Sequence, residues 1–566
     1  MSQPRPVAAT ATTAPALRTR LGKPAIALGI VWLLLWLAGI VHRALGEPDE
    51  GRYAEVSREM FASGHWITPR LDGFNFFDKP PLHYWASAVA YTVFGVHPWS
   101  ARLWCVLCGL LSIVAIGWAG ARVFGRDAGG YAAAILGSSM LFVFAGHLNT
   151  LDMGVTAFFA VAMACFVVAQ FDPSAAHLRT RLNLLMWAAL ALAVLSKGLI
   201  GVVFPGMILA IFMLWQRSWS TLGKVSLLPG VVLLLVLSAP WFVVISRLHA
   251  DFFDYFFIRE HFTRFLSSVD NRAKPPGFFL PVVLAGIFPW TLMLPWSRSG
   301  WRAIYAGMPA QRFLWVWVGV VFVFFSLSHS QLPFYILPLF PALALLLGQA
   351  LAALPTALLA RRLRGVAGIA AIAAAVLLGM IVFRHAAAVD TGVPVLLGGA
   401  VAALLLIALA AFVGTRLLRR EQRRGAVHLL ALAALTGWVT VLLASQPYVE
   451  PRSAAPAARI IKPLLGPQTE VFTVHTYMGG LAFYLERLVT VVDEPRDDLS
   501  PGFASRPDGY IADVAGFERR WRASHDAVAL VKPADLAKFR QDALPFTEVA
   551  RLASGVVIRR EPVAAP

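Results

Sequence analysis

The most reactive group of side chains lies directly after the first apolar run of the chain. Residues 46–55 read Gly-Glu-Pro-Asp-Glu-Gly-Arg-Tyr-Ala-Glu, so three carboxylates and Arg52 fall within six residues. Such charges beside a membrane surface are suited to act on a lipid head group. A structural role is also open, because Asp49 precedes a helix-like stretch that runs to Phe61 and could cap its N-terminus.

A second polar segment contains a lysine restrained by two prolines. Lys79 precedes Pro80 and Pro81 in residues 75–85, which read NFFDKPPLHYW. Proline restricts its own backbone and that of the preceding residue, so the ammonium has a defined place. Such a cation is suited to bind a phosphate. A lysine at a membrane interface can instead extend its charged end towards water, and both interpretations stay open.

Four further polar segments interrupt the apolar runs. They are residues 147–152 (HLNTLD), 195–198 (LSKG), 256–265 (FFIREHFTRF) and 328–338 (SHSQLPFYILP). Lys197 lies between two apolar segments, where an ammonium is costly unless it meets an opposite charge. Each segment alone is a weak indication. Gathered on one side of a membrane, they would form an outer cavity that holds both cations and carboxylates.

The elements that must position these segments are membrane helices. Of the 566 residues, 58% are apolar and 14% are charged, whereas soluble domains have roughly 45–50% apolar residues (glycine included) and roughly 25% charged residues. This composition excludes a disordered chain, a disulfide-based scaffold and a coiled coil. A net charge of +18 would suggest nucleic acid in a soluble protein. In a membrane protein the basic residues gather in cytoplasmic loops, so no nucleic-acid partner is predicted.

Thirteen apolar runs come near the roughly 17–25 residues that a bilayer requires. Four basic residues precede the first run and keep the tail, residues 1–24, in the cytoplasm. That run is longer than the apolar core of a signal peptide, and many more apolar runs follow it. We therefore expect it to remain as an uncleaved first helix. The predicted spans are 25–41, 101–121, 129–147, 153–170, 182–197, 199–215, 225–245, 278–297, 313–328, 334–352, 366–383, 393–413 and 426–444.

A shorter apolar stretch, residues 81–96, is interpreted as a helix that lies on the membrane. If it crossed the bilayer, arginine clusters such as residues 416–424 would face outwards, against the usual charge bias. As an interfacial helix it leaves all of these clusters in the cytoplasm. Residues 42–100 then form one extracytoplasmic loop. The loops that share its face are 148–152, 246–277, 329–333 and 384–392.

After residue 444 the long apolar runs give way to short ones. Apolar stretches begin at Val471, Leu488, Ala527 and Gly555, and charged, helix-like segments alternate with them. This pattern predicts a small α/β domain over residues 445–566. With a cytoplasmic N-terminus and an odd number of spans, this domain lies outside the cytoplasm. No internal repeat of about 20–50 residues is visible, so an inverted-repeat transporter gains no support.

Taken together, the motifs resemble those of the GT-C membrane glycosyltransferases of the protein O-mannosyltransferase-like group. The likeness is greatest to the bacterial aminoarabinose transferases that modify lipid A. It rests on Asp-Glu and Arg-Tyr after the first helix, DKPPL, HLNTLD, LSKG, FIREHFTRF and LPFYILPLFP. It covers residues 25–350 well and the remainder by architecture. One departure is Gln331, where many relatives have a lysine.

The resemblance implies a fold and an activity. The fold is an all-α polytopic membrane protein of the GT-C type, with about thirteen transmembrane helices, juxtamembrane helices and a small periplasmic α/β domain. Its catalytic part is residues 25–444. The implied reaction moves 4-amino-4-deoxy-L-arabinose from undecaprenyl phosphate to lipid A phosphates at the periplasmic face of the bacterial inner membrane. Its product gives resistance to cationic peptides such as polymyxin, and membrane lipids surround the enzyme.

The chemistry of this reaction suggests a role for each charged residue. Displacing a phosphate from an anomeric carbon builds positive charge on the sugar and negative charge on the leaving group. Asp49 is the predicted catalytic carboxylate, whereas Arg52, Lys79 and Arg264 are the predicted phosphate-binding cations. A phosphate acceptor is already ionised, so Asp49 would orient it or bind the donor ammonium; a hydroxyl acceptor would need a general base. The other predicted substrate-binding residues are Glu50, Tyr53, His83, Asp152, Lys197, Glu260, His261 and Tyr335.

The motifs require no cofactor. Asp49, His83, Glu260 and His261 offer ligands for a divalent metal ion, but their spacing is not diagnostic of a metal site.

Three other functions compete with this interpretation. A GT-C transferase acting on protein hydroxyls or another surface glycan would share the fold, and an acceptor assay separates the two. A lipid-linked sugar flippase would place its charges near the bilayer midplane, whereas here they cluster at one interface. A scaffold with a periplasmic domain would leave the charged outer segments unexplained.

Overall fold

Long apolar helices build most of the chain up to residue 444. The computed structural model describes residues 23–40, 43–263, 274–294, 308–384, 392–494 and 499–560. The helices of this part are α1 (Lys23–Ala38), α2 (Asp49–Ser63), α3 (Leu82–Phe94), α4 (Pro98–Val123), α5 (Arg126–Ser138), α6 (Met140–Gly146), α7 (Leu151–Phe171), α8 (Arg179–Lys197), α9 (Ile200–Gln216), α10 (Leu227–Leu248), α11 (Phe279–Gly286), α12 (Pro309–Leu327), α13 (Phe340–Ala353), α14 (Thr356–Arg384), α15 (Gly392–Arg419) and α16 (Arg423–Ala444). A π-helix over Asp254–Thr263 follows α10, and a 3₁₀ helix over Pro333–Leu339 precedes α13.

The helices confirm a polytopic, mostly helical membrane protein. Within the described ranges, nine helices are long and apolar enough to cross a bilayer, and α5 with α6 makes a tenth if this pair, bent by 65°, is one span. Two shorter apolar helices, Ile26–Ala38 and α9, correspond to further predicted spans. The predicted span 278–297 is described to residue 294 and is α-helical over α11. The total of thirteen spans therefore stays a prediction.

Glycines allow helices α4, α5 and α13 to pack with their backbones close together. A Cβ atom added to Gly348 of α13 would lie 2.5 Å from the carbonyl oxygen of Ala128 in α5. A Cβ atom on Gly120 of α4 would lie 2.9 Å from the Cα of Gly129, also in α5. Between membrane helices, where lipid is as apolar as leucine, such close backbone approach supplies much of the packing energy.

Helices α2 and α3 lie between the long helices and the C-terminal domain. Helix α2 is polar in sequence, yet its residues from Glu50 to Met60 are all buried. Helix α3 has 13 residues, fewer than the roughly 17 needed to cross a bilayer. It buries Tyr84 and Tyr91 and leaves Val93 and Phe94 exposed. An exposed apolar face on a short helix agrees with the predicted position on the membrane surface.

The C-terminal part is an α/β domain, as predicted. After the hairpin β1 (Arg70–Leu71) and β2 (Phe74–Asn75), its strands are β3 (Glu470–Val474), β4 (Thr490–Val492), β5 (Tyr510–Ile511), β6 (Ala527–Val531), β7 (Thr547–Leu552) and β8 (Gly555–Arg559). Its helices are α17 (Gln446–Val449), α18 (Ala455–Ile461), α19 (Gly479–Leu485), α20 (Val514–Ala523) and α21 (Asp535–Gln541). The sheet order is β5-β4-β3-β6-β8-β7. Strands β5, β4, β3 and β6 are parallel, and β8 and β7 continue the sheet antiparallel.

The burial of the central strands explains why the sequence revealed them. Every residue of β6 and all but the first of β3 are buried. Parallel strands covered by helices on both faces read as continuous apolar runs, which is the pattern seen at Val471 and Ala527. The two-residue strand β5 has no such run and was not predicted.

One apolar cluster joins this domain to the juxtamembrane segment. Tyr53 of α2, Leu71 and Phe74 of the hairpin, and Tyr477 and Leu481 of the C-terminal domain share it. The C-terminal domain is therefore packed on the loop that carries the first polar motif.

Candidate active site

Five of the six polar motifs meet in one cleft. The residues that line it are Asp49, Arg52, Tyr53, Asp78, Lys79, Thr150, Leu151, Asp152, Lys197, Leu332 and Tyr335. They come from α2, the segment before α3, the start of α7, the end of α8 and the segment that begins the 3₁₀ helix before α13. The structure thus brings together Asp49, Arg52, Tyr53, Lys79, Asp152, Lys197 and Tyr335 from the residues predicted to form the site.

The first turn of α2 presents three of these side chains on one face. Asp49, Arg52 and Tyr53 are spaced by three and four residues, which places them side by side on a helix. Asp49 is the first helical residue and not the cap, because the cap is Pro48 and no side chain caps the end. An anion at this end interacts favourably with the helix dipole. The start of α2 is therefore a favourable position for the Asp49 carboxylate.

Tyr53 is held as a neutral phenol. Burial, together with the negative charges of Asp49 and Asp78, raises the pKa of Tyr53 well above its usual value. A neutral phenol can donate a hydrogen bond to a phosphate or a sugar oxygen.

Glu50 does not line the cleft, because its carboxylate points to a buried arginine. Its Oε1 accepts hydrogen bonds from Arg102 Nε at 2.7 Å and from the Asn149 backbone at 2.9 Å. Its Oε2 accepts from Arg102 Nη2 and from the Gly46 backbone, both at 2.9 Å. Burial by itself would raise the pKa of Glu50, but Arg102 outweighs this effect and lowers it. Glu50 therefore fixes the start of α2 against residues 149–152.

Lys79 is tied to two carboxylates. Its Nζ donates to Asp78 Oδ1 at 2.7 Å and to Glu260 Oε2 at 2.9 Å, and also to the Asp78 carbonyl oxygen at 2.7 Å. Glu260 belongs to the π-helix after α10, 181 residues further along the chain. Lys79 thus holds the π-helix at the edge of the cleft. Glu260 acts on the site through its ion pair with Lys79.

Lys197 meets both an opposite charge and an aromatic ring. Its ammonium forms an ion pair with Asp152 of α7. It also lies 4.3 Å from the centre of the Tyr335 ring. The cost of placing an ammonium between α8 and α9 is offset by these two contacts.

His83 lies next to the site but does not line the cleft. Its Nε2 is 2.9 Å from Asn149 Oδ1, and burial lowers the pKa of His83 to about 4. The imidazole is therefore neutral and supports the segment that follows α6. The side chain of His261 and the whole of Arg264 lie outside the described residues.

Asp78, Thr150, Leu151 and Leu332 also line the cleft and were not among the predicted site residues. The sequence did indicate these positions, because each is adjacent or close to a predicted site residue in the same motif. Among the residues that the structure describes, no group of three or more His, Cys, Asp or Glu side chains is arranged to hold a metal ion.

The C-terminal domain reaches the wall of the cleft. The Gly480 backbone donates a hydrogen bond of 2.9 Å to Glu47 Oε1, just before α2. A Cβ atom on Gly51 would lie 2.7 Å from the Gly480 nitrogen, and one on Gly479 would lie 3.0 Å from Arg52 Cα. Glycines at these positions allow direct backbone contact between the domain and α2.

The cleft combines three carboxylates with three cations. Asp49, Asp78 and Asp152 line it together with Arg52, Lys79 and Lys197. Such a set can stabilise positive charge that develops on a sugar ring and negative charge on a phosphate in the same step.

Two known families match separate parts of the chain. Residues 457–560 match the family described as "Aminoarabinose transferase C-terminal domain". Residues 78–243 match the family described as "Dolichyl-phosphate-mannose-protein mannosyltransferase".

Curated relatives and a solved structure extend these matches. An undecaprenyl phosphate-alpha-4-amino-4-deoxy-L-arabinose arabinosyl transferase of Erwinia tasmaniensis is 32% identical over 331 residues, which are 57% of this chain and 59% of that protein. One from Sodalis glossinidius is 34% identical over 56% of this chain and 57% of its own length. The crystal structure of ArnT from Cupriavidus metallidurans bound to undecaprenyl phosphate is 32% identical, with a TM-score of 0.88 over 95% of this chain and 99% of that one. The alignments with the curated relatives thus span less than two thirds of those proteins, whereas the structural match spans nearly all of both chains.

Proposed function

Because the chain belongs to the ArnT family of GT-C membrane glycosyltransferases, we propose that it transfers 4-amino-4-deoxy-L-arabinose from undecaprenyl phosphate to a phosphate of lipid A. The donor is supported by the names of the relatives and by the undecaprenyl phosphate bound to the Cupriavidus protein.

One observation carries the proposal: Asp49 shares a cleft with Arg52, Lys79 and Lys197. In the transfer, the bond between the anomeric carbon and the donor phosphate breaks, and an acceptor oxygen attacks that carbon. Asp49 stabilises the positive charge on the sugar, and the cations stabilise the departing undecaprenyl phosphate. An acceptor phosphate needs no general base, because it is ionised at neutral pH. Asp49 is then free to orient the acceptor or to hold the donor ammonium.

The match to protein mannosyltransferases over residues 78–243 favours a second candidate acceptor, a protein hydroxyl. That match covers the part of the chain that would hold a polyprenyl-phosphate donor. The C-terminal domain, which touches Arg52, matches the aminoarabinose transferases instead. This combination favours lipid A as the acceptor.

The proposed location is the bacterial inner membrane, with the cleft open to the periplasm. The basic clusters at Arg122 and Arg420 then face the cytoplasm, in agreement with the charge bias of membrane proteins. Single cysteines at these two positions, in a chain without its three native cysteines, should react with an impermeant reagent only after the membrane is opened. Labelling of either position from the periplasm would contradict this topology.

Mass spectrometry of lipid A tests the proposed reaction. Cells that express the chain should carry lipid A with added aminoarabinose, and cells that lack it or express Asp49→Asn should not. Unmodified lipid A together with newly glycosylated periplasmic protein would assign the alternative acceptor. Unmodified lipid A and unmodified protein, with equal amounts of chain in the membrane, would overturn the proposal.

A further inference from the structure

The C-terminal sheet has a second cavity, at the carboxyl ends of its parallel strands. Strand β3 is central, with β4 on one side and β6 on the other, so the strand order reverses beside it. His475, Asp493 and Lys532 directly follow these three strands. In open α/β sheets, ligands bind outside the carboxyl ends of the strands at such a reversal.

The side chains at this edge are held in place. The two ring nitrogens of His475 lie 2.9 Å from Asp493 Oδ2 and 3.0 Å from Asp535 Oδ2. His475 and Asp493 both have left-handed backbone conformations, with φ of 53° and 46°. Non-glycine residues rarely adopt this conformation unless the surrounding structure enforces it, and such residues cluster at ligand sites.

The cavity has a volume of about 340 Å³ and a mixed lining. Glu494 and Lys532 contribute opposite charges, and Met478 and Pro533 contribute apolar surface. Ser554, in the turn between β7 and β8, also lines it. Within the described part of the chain, the Ser554 hydroxyl is buried and has no hydrogen-bond partner. A buried hydroxyl without a partner is costly, and a turn of the Ser554 side chain towards the cavity would let a ligand atom satisfy it.

The distribution of charge selects the class of ligand. A phosphate would meet the Glu494 carboxylate, with the carboxylates of Asp493 and Asp535 behind it on His475. A metal ion or an amine would instead meet Lys532 and His475. Sugar hydroxyls both donate and accept hydrogen bonds, so they match carboxylates, an ammonium and a serine hydroxyl together. The C–H face of a sugar ring matches Met478 and Pro533.

From this geometry we infer that the carboxyl edge of the C-terminal sheet is a saccharide-binding subsite that holds the sugar portion of the acceptor glycolipid. The inference deepens the proposed function and rests on its acceptor being a glycolipid. The segment that leaves β3 links the two sites, because Gly479 touches Arg52 at the cleft. Gly479 is four positions after His475, so their Cα atoms are at most about 14 Å apart. One acceptor molecule can thus be bound at the cavity by its sugars while its phosphate enters the cleft.

The first test measures binding without catalysis. The probe is the glucosamine disaccharide of lipid A without phosphates or acyl chains, added to the full chain in a detergent that has no sugar head group. Saturation-transfer NMR should show contact between the probe and the wild-type chain. The double variant Glu494→Gln/Lys532→Gln should lose about nine tenths of the signal at a probe concentration below the Kd, because neutral amides replace two charged partners and weaken binding about tenfold. Lys538→Gln, an exposed lysine of the same domain outside the cavity, is the matched control and should keep it.

The second test measures transfer to lipid A. The double variant should raise the KM for lipid A by about tenfold and leave kcat and the KM for the donor unchanged. An unchanged probe signal or an unchanged acceptor KM in the double variant would overturn the subsite. If neither the wild type nor any variant transferred aminoarabinose, while the wild type still bound the probe, the proposed reaction would be overturned instead.

Discussion

Arg102 of α4 and Glu50 of α2 form a buried, bidentate ion pair. Arg102 Nε donates to Glu50 Oε1 at 2.7 Å, and Arg102 Nη2 donates to Glu50 Oε2 at 2.9 Å. The same guanidinium donates to the carbonyl oxygens of Arg43 and Ala44. The pair connects the first long membrane helix with the turn that presents Asp49. It is therefore a positioning device for the candidate active site.

Arg102→Gln should destabilise the protein strongly, because it leaves the Glu50 carboxylate buried without a cation. Removing one partner of such a pair costs about 3–5 kcal/mol. The midpoint of thermal unfolding in detergent should fall, and transfer should fall with it. Arg424→Gln is the matched control, since its ion pair with Asp127 is exposed and should contribute about 0.2–1 kcal/mol. The double variant Arg102→Gln/Glu50→Gln should recover part of the loss; a midpoint equal to that of Arg102→Gln alone would contradict this account.

Asp49→Asn should abolish transfer while the chain still folds and inserts. In the proposed mechanism the carboxylate stabilises the positive charge that develops on the sugar, and a neutral amide cannot replace it. We expect the rate to fall by at least about 100-fold. The assay compares membranes with equal amounts of protein and an unchanged unfolding midpoint. A rate within about tenfold of wild type would remove Asp49 from the mechanism.

Lys79→Gln should lower transfer about tenfold to a hundredfold at subsaturating donor, because a charge-assisted bond to phosphate contributes about 1.5–3 kcal/mol. Lys79→Arg should restore part of the rate, since the guanidinium is larger and forked. Glu260→Gln distinguishes this role from simple anchoring of the π-helix. Glu260→Gln weakens the contact between the π-helix and Lys79 but keeps the ammonium. The transfer rate should therefore fall much less than in Lys79→Gln. Equal losses for Lys79→Gln and Glu260→Gln would show that Lys79 acts only as an anchor.

Because Asp72 is buried between the hairpin and the C-terminal domain, the stability of the fold should decrease as the pH rises. Asp72 accepts hydrogen bonds from Tyr477 and the Val489 backbone, and burial together with nearby Glu55 raises the pKa of Asp72 to about 7. Between about pH 4 and about pH 7, the folded chain holds a proton at Asp72 that the unfolded chain has lost. The free energy of unfolding therefore decreases with rising pH across this window.

Asp72→Asn tests this prediction, because the amide cannot ionise. The variant's unfolding midpoint should fall less than the wild-type midpoint between about pH 5 and about pH 8. Asp508→Asn, an exposed carboxylate of the same domain, should keep the wild-type dependence. Identical slopes for wild type and Asp72→Asn would exclude Asp72 as the titrating group.

Local patterns in the sequence predicted most of the fold. The long apolar runs became membrane helices because a bilayer leaves no other partner for their backbone groups. The short runs at Val471 and Ala527 became β3 and β6 because buried parallel strands are apolar on both faces. The 65° bend between α5 and α6, within the predicted span 129–147, left no such pattern.

The sequence alone also determined which residue types are available at the membrane surface, but only the tertiary structure decided what each does. Asp49 and Glu50 are adjacent carboxylates, and composition cannot distinguish them. Successive residues of a helix point about 100° apart, so Asp49 faces the cleft and Glu50 faces Arg102 in another helix. The partners of Lys79 and Lys197 are also distant in the sequence, because Glu260 lies 181 residues from Lys79 and Asp152 lies 45 residues from Lys197. Contacts over such separations are set by how the helices pack and not by any local pattern.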